Sequence, residues 1–463
     1  MKLTGSEIIE ACKGKLLQGD PGKQLSGVTI DSRKVKTGDL FIPFTGEHTD
    51  GHLYIKQAFD AGAFGAFHHL DKPVDEQLPE DFLLIGINDS LAALQQLAAS
   101  YRDRFELPVI GITGSSGKTT TKDFIAGVLS VKYKVLKTTG NLNNEIGLPL
   151  TILQLDQSHQ VAVLEMGMTA PGEIMTLCEI ARPTIGVITN IGEAHIEQLG
   201  SVEAIARAKG ELLDYLGSGG VAVLNGDDPR LLEVRKRYPG KAFYYGFNQG
   251  DIKGLKLSQR GEKSFFRVRF PDNSEGWFES PLPGRESAGN ALAALTVGYI
   301  LGLSLPQIEK GLASSEATAG RLQVLRDPGG MVIIDDTYNA NPSSVQAAIN
   351  VLSELGGNKT VAVLGDMLEL GNIAEDAHRA VGRIAAEGGL GFLITVGEMT
   401  RLSSEEAEKS GLKAYHCSSH NEALETLEKL NLEKDWHILV KGSRGMQMER
   451  IVQALIKEEG AEA

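Results

Sequence analysis

The stretch Val109-Ile-Gly-Ile-Thr-Gly-Ser-Ser-Gly-Lys-Thr119 decides the fold, because an apolar run passes directly into a glycine-rich turn and a lysine. The run predicts a buried strand over 109–113, and the residues after the turn predict a helix from 119 to about 130. Backbone N–H groups of such a turn converge on phosphate oxygens, and the amino end of the helix adds partial positive charge. The strict consensus GxxxxGK[ST] requires glycine at Ile112, so the pattern departs from it by one position. The stretch predicts a phosphate site in an α/β domain, with an ordinary glycine-rich turn as the alternative.

Four side chains, two in this turn and two after later strands, have the chemistry of a nucleotide and metal site. Lys118 would reach the β- and γ-phosphates, and the Thr119 hydroxyl could bind magnesium. Glu165 directly follows a predicted strand, and His195 lies a few residues beyond the end of another. A carboxylate at a strand end can hold Mg²⁺, and a neutral imidazole is a common metal ligand. The plain alternatives are a solvated glutamate and an ordinary core or surface histidine.

The composition excludes several classes of partner. The chain of 463 residues carries 46 Lys and Arg against 60 Asp and Glu, a net charge of −14 that repels phosphate backbones and anionic lipids. Nucleic acid and membrane partners are therefore not expected. Three isolated cysteines, Cys12, Cys178 and Cys417, form no CxxC motif, and charged residues interrupt any signal-peptide core, so we expect a reducing, cytoplasmic location.

Strands that alternate with helix-length segments divide the chain into three α/β domains. Residues 1–86 predict a small α/β domain. Residues 87–318 predict a central, mostly parallel sheet of the P-loop type, with a small antiparallel insert between 241 and 277. Residues 319–463 predict a Rossmann-like, doubly wound domain, but no GxGxxG follows its first strand, so a dinucleotide site is not supported. The uncharged segment 287–308 is too short and too interrupted for a membrane span and is interpreted as a buried helix.

Short sequence runs over nearly the whole chain resemble those of the Mur ligases and occur in the same order as in that family. These runs are Thr113-Gly-Ser-Ser-Gly-Lys-Thr119, Asn141-Leu-Asn-Asn-Glu-Ile-Gly147, Glu165-Met-Gly167, Asn190 to His195, Ala208-Lys-Gly210, Pro283-Gly-Arg285 with Asn290, Gly320-Arg321 and Asp335 to Pro342. The imperfect P-loop is itself a trait of that family. Within the family, Tyr338-Asn-Ala-Asn341, Gly365-Asp-Met-Leu-Glu-Leu-Gly371 and Lys441-Gly-Ser-Arg444 resemble the members that add D-alanyl-D-alanine.

The resemblance implies an ATP-dependent, ADP-forming amide ligase of cell-wall peptidoglycan synthesis, with ATP and Mg²⁺ as cofactors. Its substrates would be UDP-N-acetylmuramoyl-tripeptide, activated as an acyl phosphate, and D-alanyl-D-alanine. The third residue of the tripeptide stays open between lysine and diaminopimelate, and a monomer is favoured. Three alternatives remain: another Mur ligase, a ligase similar to folylpolyglutamate synthetase, and a P-loop nucleotide switch without ligase chemistry. Folylpolyglutamate synthetases begin close to the P-loop, whereas more than 100 residues precede it here.

The resemblance also implies roles for individual residues. The ATP site would comprise Thr113, Gly114, Ser115, Ser116, Gly117, Lys118, Thr119 and Thr120, with Asn290 at adenine, Arg321 at phosphate and Asp336 at ribose. Thr119 and Glu165 would hold one Mg²⁺ and His195 a second. Lys118, His195 and Lys209 would be catalytic; Lys209 matches a lysine that is carbamylated in several relatives, its alternative being a solvated lysine on a helix. Substrate residues would be Ser32, Arg33, Thr45, Gly46, Asp50 and His52 for UDP, and Asn141, Asn143, Asn144, Asn339, Asn341, Lys441 and Arg444 for the peptides.

Overall fold

The computed structural model describes residues 1–46, 49–74 and 77–456, so the predicted end of the third domain at 457–463 lies outside the described residues. Three main sheets follow one another along the chain. They confirm the predicted architecture of three α/β domains. In the part of the chain that is described, no helix is long and apolar enough to cross a membrane.

The first domain is built on a sheet in the order β2-β7-β6-β5-β4, in which β4 to β7 are parallel and β2 is antiparallel to β7. Its strands are β1 (Leu3–Thr4), β2 (Lys15–Gln18), β3 (Gln24–Leu25), β4 (Gly27–Thr29), β5 (Asp39–Phe41), β6 (Gly65–His69) and β7 (Leu83–Ile87). Its helices are α1 (Gly5–Ala11) and α2 (Ile55–Asp60). The carboxyl ends of β4, β5 and β6 meet at one edge, which brings the loops that follow them together.

The central domain contains a nine-stranded sheet in the order β16-β15-β14-β13-β12-β11-β8-β10-β9, within the fully described stretch 109–280. Its strands are β8 (Val109–Thr113), β9 (Val135–Lys137), β10 (Val161–Glu165), β11 (Ile185–Ile188), β12 (Val221–Asn225), β13 (Lys241–Gly246), β14 (Ile252–Arg260), β15 (Lys263–Arg269) and β16 (Glu275–Ser280). The helices are α3 (Ser90–Arg102), α4 (Lys118–Ser130), α5 (Gly147–Ile152), α6 (Glu173–Ala181), α7 (Ile196–Leu199), α8 (Val202–Leu216), α9 (Pro229–Arg235), α10 (Arg285–Ile300) and α11 (Leu305–Ala313).

The register of this sheet places the candidate residues. β8 lies between β10 and β11, with Glu165 paired to Ile112 and Ile188 paired to Thr113. All three strands are parallel, so the P-loop, Glu165 and the loop that begins at Thr189 leave the same edge of the sheet. This is the edge at which open α/β sheets bind ligands.

Two sequence-based expectations for this domain need correction. The segment from Lys241 begins with β13, which is parallel to β12 and continues the main sheet, so the antiparallel pairing is confined to β14, β15 and β16. The segment 287–308, interpreted as one helix, belongs to α10 and α11, with a turn between them. Gly302 in that turn has φ +71°, a backbone conformation that ends the first helix and that glycine adopts without steric cost.

The C-terminal domain has a six-stranded sheet in the order β17-β18-β22-β19-β20-β21, parallel except for the β17–β18 pair. Its strands are β17 (Gln323–Arg326), β18 (Val332–Asp336), β19 (Thr360–Gly365), β20 (Phe392–Val396), β21 (Ala414–Cys417) and β22 (His437–Lys441). Its helices are α12 (Pro342–Gly356), α13 (Ala374–Glu387), α14 (Arg401–Lys409), α15 (His420–Lys429) and α16 (Glu449–Ile456). Asp336 and Lys441 pair at the carboxyl ends of β18 and β22.

The P-loop helix α4 is packed closely against α10 and α11. A Cβ atom at Gly311 would lie 2.5 Å from the Cα of Val128, and one at Gly298 would lie 2.8 Å from the Cγ1 of Val128. The helices can approach this closely only because these positions lack side chains. The contact fixes the helix that carries the phosphate-binding turn.

Replacement of Gly311 by alanine should therefore destabilise the protein by about 1–3 kcal/mol, because the added methyl group meets the backbone of α4. Gly289→Ala is the matched control, since a Cβ in that helical position meets no atom within 4 Å. Thermal unfolding followed by calorimetry checks the pair. Equal unfolding temperatures for the two variants would contradict the packing described for α4.

Candidate active site

Two glycines shape the phosphate-binding turn. Gly114 has φ +150°, and a Cβ there would lie 1.9 Å from the Oγ1 of Thr189. Gly117 has φ +76°, and its Cβ would lie 2.5 Å from the Oδ1 of Asn290. The turn therefore requires glycine at both positions. Ile112, where the strict consensus has glycine, is a fully buried residue of β8, so in this chain the turn begins later.

Asn190, which opens one of the runs that carry the family resemblance but was given no role of its own, holds the turn in place. Its Oδ1 accepts a hydrogen bond from the Ser116 N–H at 2.9 Å, and its Nδ2 donates to the Ser116 Oγ at 2.9 Å. The neighbouring Thr189 hydroxyl donates to the Ser116 carbonyl at 2.6 Å. Sequence could have indicated this role, since the residue follows β11, the strand next to β8. The loop after β11 thus preorganises the phosphate-binding backbone.

Two buried lysine side chains lie close to one another beside the turn. The Lys118 ammonium group folds back and donates to the Gly114 carbonyl at 2.7 Å, and desolvation lowers its pKa, although Glu165 acts in the opposite direction. Lys209 on α8 is 1% exposed, and within the described residues its side chain makes no hydrogen bond and no ion pair. Burial, and then the charge of Lys118, lower the pKa of Lys209 well below its usual value. The solvated-lysine alternative is therefore wrong.

Glu165 presents one oxygen that the protein leaves unused. The residue is 2% exposed, and its Oε1 accepts a hydrogen bond from the Asn143 Nδ2 at 2.8 Å. Its Oε2 is buried and has no hydrogen-bond partner. A buried carboxylate oxygen without a partner is costly unless a cation binds it. The alternative of a solvated glutamate at a strand end is therefore wrong.

His195 reaches across to the third domain. It has φ +64°, directly before α7, and its Nδ1 lies 2.8 Å from the Oε2 of Glu369. The carboxylate lies off the direction of the ring N–H, so the contact is a close polar one and not an aligned hydrogen bond, and it is an ion pair only when the imidazole is protonated. Burial lowers the pKa of His195, whereas Glu369 acts to raise it. Glu369 was not predicted, although it lies in the run 365–371 that carries the family resemblance.

The third domain adds a buried ion pair and an arginine. The Lys441 ammonium group contacts Asp336 and also donates to the Asn339 carbonyl at 2.9 Å. Burial raises the pKa of Asp336 and lowers that of Lys441, and their mutual attraction opposes both shifts. Arg321 donates to the Thr119 hydroxyl at 3.2 Å and stacks 3.9 Å from the centre of the Tyr338 ring.

A cleft of about 940 Å³ lies between the central and C-terminal domains. It brings together the predicted residues Ser115, Ser116, Gly117, Lys118, Thr119, Thr120, His195, Asn290, Arg321, Asp336, Asn339, Asn341, Lys441 and Arg444. Other predicted residues lie outside its wall, namely Thr113, Gly114, Glu165, Lys209 and the asparagines of the 141–144 run. The residues predicted for the ATP site come from both the central and the C-terminal domain, and the cleft brings members of both sets together.

Several predicted peptide-binding residues have structural contacts of their own. The Oδ1 of Asn341 caps α12 by accepting from the Ser344 N–H at 2.9 Å, and the Oδ1 of Asn144 accepts from the Gly147 N–H at 2.8 Å. Arg444 pairs with Glu449 at 3.0 Å and is largely exposed. Asn141 is exposed and makes no side-chain hydrogen bond in the described chain.

In the first domain the structure separates the predicted UDP residues into two groups. The Asp50 Oδ1 accepts from the His52 ring at 2.7 Å and lies 3.4 Å from the Thr45 hydroxyl, next to Gly46, while Lys72 contacts the other oxygen. Lys72 was not predicted. Ser32 and Arg33 lie in the neighbouring loop after β4, where Arg33 pairs with Asp31 at 2.9 Å and Ser32 donates to Gln57 at 3.0 Å.

Comparison with known proteins agrees with this geometry. Family models described as "Mur ligase family, catalytic domain", "Mur ligase middle domain" and "Mur ligase, glutamate ligase domain" match residues 24–102, 112–298 and 320–444. The chain therefore belongs to the Mur ligase family, which confirms the resemblance, and a P-loop switch without ligase chemistry is not supported.

Full-length relatives lie in one branch of the family. A UDP-N-acetylmuramoyl-tripeptide–D-alanyl-D-alanine ligase of Bacillus subtilis is 39% identical over 462 residues, 99% of each chain. A crystal structure of MurF from Acinetobacter baumannii has a TM-score of 0.90 at 31% identity and covers 99% of both chains. MurF ligase from Thermotoga maritima, solved in complex with ADP, has a TM-score of 0.81 at 30% identity, over 93% of this chain and 97% of that one.

Substitution of Asn190 by alanine should weaken the binding of ADP about tenfold, because the turn loses side-chain hydrogen bonds that hold its backbone. Calorimetric titration of the purified protein with ADP measures this effect. Asn358→Ala, at an exposed position away from the cleft, is the control. Unchanged ADP affinity in the Asn190 variant would show that the turn keeps its shape without this residue.

Proposed function

We propose that this Mur ligase joins D-alanyl-D-alanine to UDP-N-acetylmuramoyl-tripeptide, with ATP converted to ADP and phosphate. The observation that carries the proposal is the cleft, in which the P-loop of one domain faces Arg321, Asp336 and Lys441 of another. The names of the full-length relatives support the choice of substrates. The ADP complex of the Thermotoga maritima ligase supports the nucleotide.

The nucleotide would bind across the cleft. The backbone N–H groups of residues 117–119 and the Lys118 ammonium group would contact its phosphates, which is the chemistry that a P-loop supplies. Asn290, beside Gly117, would contact adenine, Asp336 would contact ribose, and Arg321 would contact phosphate. Phosphoryl transfer needs mainly alignment and neutralisation of charge, and these residues provide both.

Magnesium fits the oxygen atoms that the site offers. The Thr119 hydroxyl and the unpartnered Oε2 of Glu165 would hold one Mg²⁺, and His195 would serve a second. When bound, the metal neutralises charge on the phosphate oxygens. Asn143 would keep the Glu165 carboxylate in place through its hydrogen bond to Oε1.

The reaction would have two steps. The terminal carboxylate of the tripeptide attacks the γ-phosphorus, the bond to ADP breaks, and an acyl phosphate forms. The amine of D-alanyl-D-alanine then attacks the acyl carbon, loses a proton and expels inorganic phosphate. Lys118 and Arg321 would stabilise the negative charge that moves between these groups.

Substrate binding would divide between the domains. In the first, 1–86, Thr45, Asp50 and His52 would contact the uridine diphosphate, with Ser32 and Arg33 on the neighbouring loop. The central domain, 87–318, and the C-terminal domain, 319–463, would hold the peptide ends near Asn143, Asn339 and Lys441. The remaining predicted peptide contacts are Asn141, Asn144, Asn341 and Arg444.

Residues of one chain form the cleft without a second subunit, which supports a monomer. The three cysteines are free and buried, which supports a reducing, cytoplasmic location.

Phosphate release tests the reaction directly. The protein is incubated with ATP, Mg²⁺ and UDP-N-acetylmuramoyl-tripeptide that ends in lysine or in diaminopimelate, together with a panel of amines. We expect release only with D-alanyl-D-alanine, and the preferred tripeptide identifies its third residue. Release that is independent of the added amine would refute the proposed ligation.

Lys118→Ala should lower turnover in this assay about a hundredfold or more, because the transferred phosphoryl group loses the P-loop cation. Lys134→Ala, which removes an exposed lysine beyond the other end of α4, is the control. Turnover within a few fold of the unmodified protein would exclude Lys118 from catalysis.

Lys209 would react with CO₂ to form a carbamate, with loss of a proton, and the new carboxylate would serve the second metal beside His195. Its lowered pKa favours the neutral amine that this reaction needs. Lys209→Ala should therefore impair ligation strongly, and short carboxylic acids in the buffer should restore part of it by supplying the missing carboxylate. The Lys209→Arg variant, which keeps a positive charge, should stay inactive without rescue. Loss of activity with no rescue in Lys209→Ala would favour a plain ammonium contact.

A further inference from the structure

The segment 315–321 between α11 and β17 runs back along one face of the P-loop helix α4. A Cβ at Gly127 would lie 2.1 Å from the Ser315 Oγ, so the segment first touches α4 there. The Thr318 hydroxyl donates to the Asp123 Oδ2 at 2.6 Å, and further on Arg321 meets Thr119. The three positions on α4 are four residues apart and share a face of the helix. The connection to the third domain thus follows α4 turn by turn toward the phosphate site.

The middle contact is the shorter of the two hydrogen bonds, 2.6 Å against 3.2 Å. Asp123 is 3% exposed, and its other oxygen is paired with Lys122 at 3.3 Å and with Lys137 at 2.8 Å. A hydrogen bond from Thr318 to a buried, ion-paired carboxylate is stronger than one between neutral groups. The two lysines hold the carboxylate in place. Asp123 and Thr318 therefore fix the segment one helical turn away from the P-loop.

The far end of the segment holds Arg321 in a defined position. Gly320 has φ +73° and Leu322 has φ +50°, so two left-handed residues flank the arginine. The Leu322 N–H donates to the Asp336 Oδ1 at 3.1 Å, which holds this turn on the third domain. The Arg321 guanidinium stacks on Tyr338, and its Nε is buried without a hydrogen-bond partner. A left-handed conformation at a residue with a side chain persists only where the surroundings enforce it.

We propose that Asp123 and Thr318 are positioning residues, which set Arg321 and the edge of the third domain at a fixed place over the P-loop. Neither side chain needs to touch the nucleotide, because each acts through Arg321. The inference rests on the proposed nucleotide site and is independent of which amine the enzyme ligates. The segment 315–321 thereby couples the P-loop helix α4 to the position of the third domain.

The experiment is a double-mutant cycle on the binding of an ATP analogue with an imidodiphosphate bridge, measured by calorimetric titration in the presence of Mg²⁺. Thr318→Val removes the hydroxyl at nearly constant volume and leaves the pairing of Asp123 with Lys122 and Lys137 intact. Ser314→Ala is the matched control, since its hydroxyl lies in the same connection but donates to the Gly311 carbonyl and not to α4. Arg321→Ala and the Thr318→Val/Arg321→Ala double variant complete the cycle.

We expect Thr318→Val to raise the dissociation constant about tenfold and Ser314→Ala to leave it unchanged. In the Arg321→Ala background the Thr318→Val change should have little further effect, because the residue acts through Arg321. Small-angle scattering should show a larger radius of gyration for Thr318→Val than for the control.

Two results would overturn the proposal. One is an unchanged dissociation constant in the Thr318→Val single variant, and the other is an effect of Thr318→Val that stays the same in the Arg321→Ala background. Asp123→Asn supplies a second arm: it weakens the acceptor and also removes the charge that pairs with Lys122 and Lys137, so it should raise the dissociation constant at least as much as Thr318→Val. Binding of the analogue by the unmodified protein tests the nucleotide site itself. Failure of that binding would refute the proposed function, whereas failure of the cycle alone would refute only the positioning role.

Discussion

The constraint on which the site depends is the burial of two lysines and a glutamate beside the phosphate-binding turn. Burial lowers the pKa of Lys118 and of Lys209, which has no acidic partner in the described chain, and the charge of Lys118 lowers the pKa of Lys209 further. A charge removed from water costs several kcal/mol, so the Lys118 ammonium group is favourable only when an anion binds beside it, and Lys209 favours its neutral amine. The unpartnered Oε2 of Glu165 is the complementary feature, since it offers a buried oxygen to a cation. A phosphate chain with its metal would satisfy these groups, because its oxygens would pair with Lys118 and its metal with the Oε2 of Glu165.

This constraint explains why the chain divides the site between two domains. A cleft that opens admits a highly charged nucleotide, and one that closes removes water from around the reacting groups. Polar contacts between the two domains can break and form again during such motion; they include Arg321 with Thr119, His195 with Glu369 and Arg326 with Glu262. Interdomain contacts of this kind allow relative movement, in contrast to the apolar packing of α4 against α10 and α11.

The sequence predicted the features that depend on local pattern. The strand at Val109–Thr113, the turn and the helix after it follow from an apolar run and glycine spacing, and the strand-end position of Glu165 follows from periodicity. Contacts between distant segments leave no such pattern, so the contact of Asn190 with the turn and that of Glu369 with His195 were not predicted. The parallel pairing of β13 was missed because the sequence of a strand does not show which neighbour it pairs with, so the pattern groups it with the alternating strands after it. Short strands such as β1 and β3 were missed because two residues carry no periodic signal.

The third domain shows why a Rossmann-like fold can take part in a nucleotide site without the GxGxxG turn. At the carboxyl ends of β18 and β22, the buried pair of Asp336 and Lys441 occupies the edge at which a dinucleotide would need open backbone N–H groups. Asp336 uses its other oxygen to accept from the Leu322 N–H, which fixes the turn that presents Arg321. The pair thus also supports one arginine at the ligand-binding edge of this sheet, besides the ribose and peptide contacts proposed for its two members. In the proposed site the domain would contribute a cation beside the P-loop, and the fold alone does not determine which ligand its edge receives.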